Sequence, residues 1–284
     1  MTTKKDYGKL YVCPTPIGNL EDITLRTLRV LREVDLIAAE DTRHTLKLLN
    51  HFGIQKPLTS YHEHNKEGKG KLLLEKLMEG EYIALVSDAG MPGISDPGED
   101  LIKLCIEEQI EVEVLPGPVA FITALVASGL AADKFTFEGF LDRDKKKRRK
   151  RLEEIQEKDG TLIFYEAPHR IRQTLEDMSK IFGDRKAVLA RELTKRHEEI
   201  LRSSLRELEE ILGQRNLKGE MVLLVEGASI ESMSKKEKDW DRLTIGEHIV
   251  KYLDAGMEKK EAIKTVAKER GISKRIVYEE SIDL

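Results

Sequence analysis

The chain has 284 residues, 40% of them apolar, and a formal net charge of −4. That length suits two domains and an appendage with real cores, and the slight acidity excludes a wholesale nucleic-acid coat, so any RNA or DNA contact must be local. No run approaches the roughly 18 apolar residues of a membrane helix and the opening MTTKKDYGKL holds no apolar signal core, so the chain reads as cytoplasmic, with no membrane partner.

Lys9 to Val12 reads as a short strand ending in Pro14-Thr15-Pro16-Ile17-Gly18-Asn19-Leu20. Asp22 is placed to cap a helix carrying Leu25, Leu28, Leu31 and Val34 on its apolar side. The next strand, Asp35 to Ala39, is tipped by Glu40-Asp41-Thr42-Arg43-His44, and a helix through Leu46, Leu48 and Leu49 closes at Gly53. A polar segment from Ser60 to Asn65 and a helix from about Lys69 to Met78 precede the buried strand Tyr82 to Val86. A helix starting near Asp96-Pro97 and a strand Val112 to Leu115 complete a first α/β unit, residues 1–118. Strands alternating with helices predict a mostly parallel sheet with right-handed crossovers.

The second unit, 119–227, opens with an apolar helix, Phe121 to Leu130, then Lys134 to Phe137 and a charged helix. Its strands Thr161 to Tyr165, Ala187 to Ala190 and Met221 to Glu226 are flanked by Glu166-Ala167-Pro168-His169-Arg170, Arg191-Glu192-Leu193-Thr194 and Lys218-Gly219-Glu220. Two α/β units in series place a cleft between them, a common seat for a small molecule. Residues 228–243 read as a polar linker, and 244–284 as three short helices, Ile245 to Leu253, Lys259 to Arg270 and Lys274 to Glu280. The Gly271-Ile272-Ser273 turn has helix-turn-helix spacing. Cys13 and Cys105, the only cysteines, sit in apolar contexts that fit buried thiols better than a disulfide, a metal site or a nucleophile. His62 and His64 lack the further ligands of a zinc site, and no metal is expected.

The stretch from Asp88 to Gly98 carries most of the functional signal. Its eleven residues hold three glycines, two prolines and two aspartates, where a strand-to-helix connection needs only about two to six residues. Gly90, Gly93 and Gly98 let the backbone approach a ligand, at the carboxyl edge where open α/β sheets bind them. No Gly-Lys-Ser/Thr follows, and no strand-to-helix turn has the GxGxxG spacing, so neither nucleotide fingerprint is present. Aspartates do not suit a phosphate. A cationic or zwitterionic ligand is the natural occupant, and a long structural loop is the alternative.

Seven motifs together resemble one family. PTPIGNLEDIT (14–24), AAEDTRHT (38–45), VSDAGMPGISDPG (86–98), LPGPVA (115–120), LIFYEAPHR (162–170), ARELTK (190–195) and KGEMVLLVEG (218–227) are similar to those of the ribosomal RNA small subunit methyltransferase I family. Its members are S-adenosylmethionine-dependent cytidine 2′-O-methyltransferases of the tetrapyrrole methylase superfamily. Met91 stands where threonine is frequent in the family, and Ala167 where serine is frequent. The resemblance implies a bilobal α/β fold with the cofactor in the interdomain cleft, a small C-terminal all-α helix-turn-helix, and a homodimer. Carried onto this chain, the cofactor contacts would be Pro14 and Thr15, then Asp88, Ala89, Gly90, Met91, Pro92, Ile94 and Ser95, then Pro116 and Gly117. From the second unit they would be Tyr165, Glu166, Ala190, Arg191, Glu192, Leu193, Gly219 and Glu220.

The implied substrate is a cytidine ribose in the decoding region of 16S rRNA, presented within the small ribosomal subunit. Methyl transfer to a hydroxyl is an in-line displacement that needs alignment and a group to take the proton. Asp22, Glu40, Asp41, Glu166 and His169 are candidates. Of these, Asp22 and Glu40, together with Arg43, are expected to line the acceptor side. The run Lys145-Lys146-Lys147-Arg148-Arg149-Lys150-Arg151 is either a solvated helix face or a grip on RNA phosphates, with His169 and Arg170 adding to it. Two alternatives share some of these features: a tetrapyrrole methyltransferase, and a non-enzymatic helix-turn-helix regulator.

Overall fold

Ten strands and eleven α-helices occupy the described residues of the computed structural model, which are 7–213, 215, 217–228 and 243–282. Most of the expected linker, 229–242, lies outside them. The chain divides into two compact units, 1–227 and 228–284.

Within the first unit, β1 (Lys9–Val12), β2 (Leu36–Ala39), β3 (Leu58–Ser60), β4 (Ile83–Val86) and β5 (Glu111–Val114) form a sheet of order β3-β2-β4-β1-β5. Every pairing in it is parallel, so all five carboxyl ends share one edge. β4 lies at its centre and is buried throughout. Successive side chains of a strand face opposite ways: Ala84 and Val86 pack with α1 (Leu25–Glu33) and α2 (Thr42–His51), whereas Ile83 and Leu85 pack with α3 (Lys66–Met78) and α4 (Gly98–Glu107).

Asp22 does not cap α1. Residues Leu20–Asp22 form a 3-10 turn, and the Thr27 N–H donates to the Thr24 hydroxyl at 3.0 Å, because Thr24 is the residue next to the first helical position. α4 begins at Gly98, two residues later than expected, with Pro97 at the cap. Asp96 is then free to turn its carboxylate inward, accepting from the Gly93 N–H at 2.9 Å and the Gly98 N–H at 2.8 Å.

A second sheet, of order β6-β7-β10-β8-β9, contains β6 (Phe135–Phe140), β7 (Thr161–Glu166), β8 (Lys186–Arg191), β9 (Glu199–Ser204) and β10 (Met221–Val225). Only β6–β7 is parallel, unlike the first sheet, whose pairings are all parallel as its alternation of strands and helices predicts. β9 is the reason. Antiparallel neighbours need only a short connection, and residues 192–198 turn β8 straight back on itself. β10 then enters antiparallel between β7 and β8. α6 (Lys145–Ile155), α7 (Ile171–Phe182) and α8 (Leu205–Gly213) cover one face through Leu152, Leu175 and Leu208. α5 (Ala120–Ser128) covers the other, and Ile17 of the first sheet's connection joins that same core.

The charged helix α6 is anchored by a buried ion pair. Arg148 is 2% exposed and donates to Asp177 from Nε at 3.0 Å and Nη2 at 2.7 Å, and Arg149 Nε adds a third bond at 2.7 Å. Burial alone would raise the Asp177 carboxyl, but the two guanidiniums outweigh it and hold it below the usual range. Arg148 therefore faces the interior and is not among the surface cations, a correction forced by its place on the α7-facing side of the helix.

The second unit holds α9 (Ile245–Asp254), α10 (Lys259–Arg270) and α11 (Lys274–Glu279). Thr244 and Glu247 form a reciprocal capping box, Gly271 ends α10 at φ 65°, and Ser273 caps α11. Ile249, Val266 and Val277 share its small core.

Candidate active site

Three strand tips of the first sheet are tied together at its carboxyl edge. The Thr15 N–H donates to the Gly90 carbonyl at 2.9 Å and the Gly90 N–H returns to the Thr15 carbonyl at 3.0 Å, pinning the end of β1 to the loop after β4. Parallel register sets Ala39 beside Val86, so the tips of β2 and β4 run on together. There the Asp41 N–H donates to Asp88 Oδ1 at 3.0 Å, and the Asp88 N–H to Glu40 Oε2 at 3.4 Å. Asp96 ties the loop from inside, and Gly98 has no room for a side chain: a Cβ there would meet the Gly93 nitrogen at 2.8 Å.

Facing this edge are the ends of β7 and β8 and the start of β10. Between them lies a cavity of about 380 Å³, within the range of small-molecule sites. Ile17, Ala190, Leu193, Met221 and Val222, all under 10% exposed, form an apolar floor. Around it stand five carboxylates, those of Glu40, Asp88, Asp96, Glu166 and Glu220, and none of the described lining residues is Lys, Arg or His. Two of the five are paired from behind the wall, Glu220 with Lys195 at 3.0 Å and Glu166 with Arg170 at 3.4 Å, which leaves Glu40, Asp88 and Asp96 to set the charge. Burial is the main cause of a raised Glu40 pKa, with the Asp88 charge next and the Asp88 N–H opposing. Burial also raises Asp96, against the N–H groups of Gly93 and Gly98. The Tyr165 hydroxyl is pushed up to about 12 by burial and stays neutral. Such a cavity repels anions and favours a ligand with positive charge beside an apolar body.

Left-handed backbone marks both flanks. Of four described non-glycine residues at positive φ, Ser95 (65°), Glu192 (51°) and Thr194 (65°) lie in the loops bordering the cavity. Strain of this kind persists where the surroundings over-determine it, and it gathers at functional sites.

The structure brings together most of the residues singled out in the sequence. Asp88, Ala89, Gly90, Met91, Ile94, Ser95, Tyr165, Glu166, Ala190, Leu193, Gly219, Glu220 and Glu40 all line the cavity. The Glu166 carboxylate is held from behind by the Ala167 N–H at 2.8 Å, the Thr174 hydroxyl and Arg170 Nε at 3.4 Å. Others stand behind the wall. Thr15 is engaged with Gly90, and Gly117 packs so closely on Pro14 that a Cβ would meet its ring at 2.6 Å. Arg191 pairs with Glu199, and Glu192 accepts from the Glu220 N–H at 3.0 Å. Pro92 and Pro116 are not in the lining.

Asp22 lies in an adjoining recess of about 280 Å³ with Gly117, Pro118 and Thr194, and Ile17 separates the two spaces. Arg43, its side chain 88% exposed, pairs with Asp41 at 2.8 Å, outside the cavity. His169 borders a third recess with Arg172, Arg215 and Lys218. Arg170 donates to the Leu141 carbonyl at 2.6 Å and holds the entry to α6. Asp96, the second aspartate of the loop, also lines the cavity, as do Val119, Ala120, Phe140, Met221 and Val222, which sequence reasoning passed over. Val119 and Ala120 close the LPGPVA motif. Phe140 lies beyond a strand break that hides it.

Comparison with known proteins fits this geometry to a family. The profile of the Tetrapyrrole (Corrin/Porphyrin) Methylases matches residues 9–209. The chain belongs to the tetrapyrrole methylase family. Among its relatives named ribosomal RNA small subunit methyltransferase I, that of Halalkalibacterium halodurans is 52% identical over 97% of this chain and 95% of its own length. That of Bacillus subtilis is 48% identical over 97% and 94%. A tetrapyrrole methylase fold is seen in the uroporphyrin-III C-methyltransferase of Thermus thermophilus complexed with S-adenyl homocysteine, with a TM-score of 0.56 and 18% identity over 77% of this chain and 97% of that one. The bilobal α/β reading thus holds for this tetrapyrrole methylase. The family match ends at residue 209, before β10, which supplies Met221 and Val222 to the cavity floor.

Proposed function

We propose that this protein is an S-adenosylmethionine-dependent methyltransferase acting on the 2′-hydroxyl of a cytidine in the decoding region of small-subunit ribosomal RNA. One observation carries the reading: a cavity lined by Glu40, Asp88 and Asp96, none of them ion-paired among the described residues, with no basic residue in the described lining. The cofactor has a sulfonium, an ammonium, a carboxylate and an apolar-faced adenine. The acidic residues match the two cations and the apolar floor the adenine, while the carboxylate must point away from them. The relatives' name supports the RNA substrate.

When bound, the cofactor supplies a methyl carbon on a positively charged sulfur, which the ribose oxygen displaces in line so that the sulfur leaves neutral. The chain's own task is alignment and proton removal. Asp88 and Asp96 supply the counter-charge, and the floor residues exclude water. Glu40, half-buried and raised in pKa, accepts the hydroxyl proton. Asp22, in the neighbouring recess, and Arg43, outside the rim, stay candidates for holding the acceptor rather than for touching the reacting oxygen.

The cations of α6 support an RNA substrate. Lys145, Lys146, Lys147 and Lys150 are exposed, and three of them fill the first helical turn, where the helix dipole disfavours positive charge. An RNA phosphate bound there would relieve that repulsion. Replacing these four lysines with glutamine is expected to weaken subunit binding and flatten its log–log salt dependence by about 0.7–0.9 per lost phosphate contact. An unchanged slope would make them a solvated face.

Labelled S-adenosylmethionine offered to small subunits lacking the modification, to naked rRNA and to a tetrapyrrole tests the whole reading. Label is expected on a subunit cytidine, in a dinucleotide resistant to alkali because the 2′-oxygen is blocked. Label on the tetrapyrrole, or on a base, would overturn it.

A further inference from the structure

Phe140 is 57% exposed, yet it lines the cavity. Its position depends on an irregularity in β6. The register with β7 runs Phe137 to Ile163, then skips to Gly139 on Phe164 and Phe140 on Tyr165. Glu138 is thus an extra residue, and Gly139 takes φ 63°, open to glycine at no cost. In a regular strand, residues three apart face opposite sides. The bulge returns Phe140 to the side of Phe137, and both rings contact Tyr165, at 5.0 Å for Phe137 and 5.5 Å for Phe140. Phe121 stacks on Phe137 at 4.3 Å and completes the support. A Cβ on Gly139 would lie 3.5 Å from Ser95 Oγ, so the bulge also abuts the loop of the opposite wall.

The chain leads directly from this ring to the cations. Arg170 holds the Leu141 carbonyl, Asp144 caps α6, and the exposed Lys145, Lys146 and Lys147 follow. An aromatic face beside a row of lysines is the arrangement that binds single-stranded nucleic acid. The ribose of a base-paired nucleotide reaches a recessed site only if the base leaves its stack, and a supported aromatic at the cavity mouth gives that base a new one.

We propose that Phe140 stacks on the base of the target nucleotide and so positions its ribose at the cavity. This rests on the RNA methyltransferase reading above. The test compares wild type, F140A, F140L and F140W in two assays: S-adenosylhomocysteine binding by calorimetry, and methylation kinetics on unmodified small subunits. F140A and F140L are expected to raise KM for the subunit by about 5- to 150-fold, the size of a lost base–aromatic stack. F140W should restore it, because stacking needs a π face rather than apolar bulk. Affinity for S-adenosylhomocysteine should change by less than about 3-fold in all three. A parallel loss of that affinity would assign the ring to the cofactor's adenine and overturn the proposal, as would an unchanged KM in F140A. A wild type that binds S-adenosylhomocysteine but methylates no subunit would instead overturn the proposed function itself.

Discussion

Glu40→Gln is expected to lower kcat for methyl transfer by about 10²- to 10⁴-fold, the usual contribution of a positioned proton acceptor. Glutamine keeps the shape of the side chain and can still accept from the Asp88 N–H, so the cavity should persist. What it loses is the capacity to take a proton. Single-turnover rates with saturating cofactor isolate this step from binding. The pH profile gives a second readout. Glu40 acts only when ionised, and burial together with the Asp88 charge raises its pKa above the ordinary 4.5. Activity should therefore fall as pH drops through a value above 4.5, and Glu40→Asp should move that limb. A Glu40→Gln enzyme with wild-type turnover would remove the residue from the chemistry, and attention would pass to Asp22 in the adjoining recess.

Asp88→Ala is expected to weaken S-adenosylmethionine binding by roughly 10- to 150-fold, from the loss of about 1.5–3 kcal/mol in charge-assisted contacts. The change removes a counter-charge and leaves the Asp41 N–H without its acceptor. Asp88→Asn separates the two effects, since the amide oxygen can still accept from Asp41. If charge dominates, the asparagine variant should bind S-adenosylmethionine nearly as weakly as the alanine variant. S-adenosylhomocysteine, which has no sulfonium, should be less affected. Equal affinity for S-adenosylmethionine in wild type and Asp88→Ala would detach the aspartate from the donor.

Much of this site was legible because it is built at strand ends. The loop from Asp88 to Gly98 is too long and too rich in glycine and acid for a plain connection, and its place after a wholly apolar strand put it at the ligand edge. Glu40 followed from the same logic. Other residues escaped for reasons visible in the structure. Phe140 was hidden by the bulge at Gly139, which breaks the alternation that marks a strand. Arg148 read as part of a uniform basic run, and only the placement of Asp177, 29 positions away, separates Arg148 and its partly buried neighbour Arg149 from the exposed lysines. The antiparallel turn from β8 to β9 depends on left-handed Glu192 and Thr194, residue types that carry no turn signal. Asp22 looked like a helix cap because an aspartate stood near the start of an apolar periodicity, but Thr24 was nearer.

The most direct measurement is a crystal structure of the full chain soaked with S-adenosylhomocysteine. The ligand is predicted to lie between the Asp88–Ser95 loop and the floor of Ala190, Leu193, Met221 and Val222, with its amino group or sulfur toward the carboxylates. Density in the Asp22 recess or the His169 recess, with the carboxylate-ringed cavity left unfilled, would contradict the account.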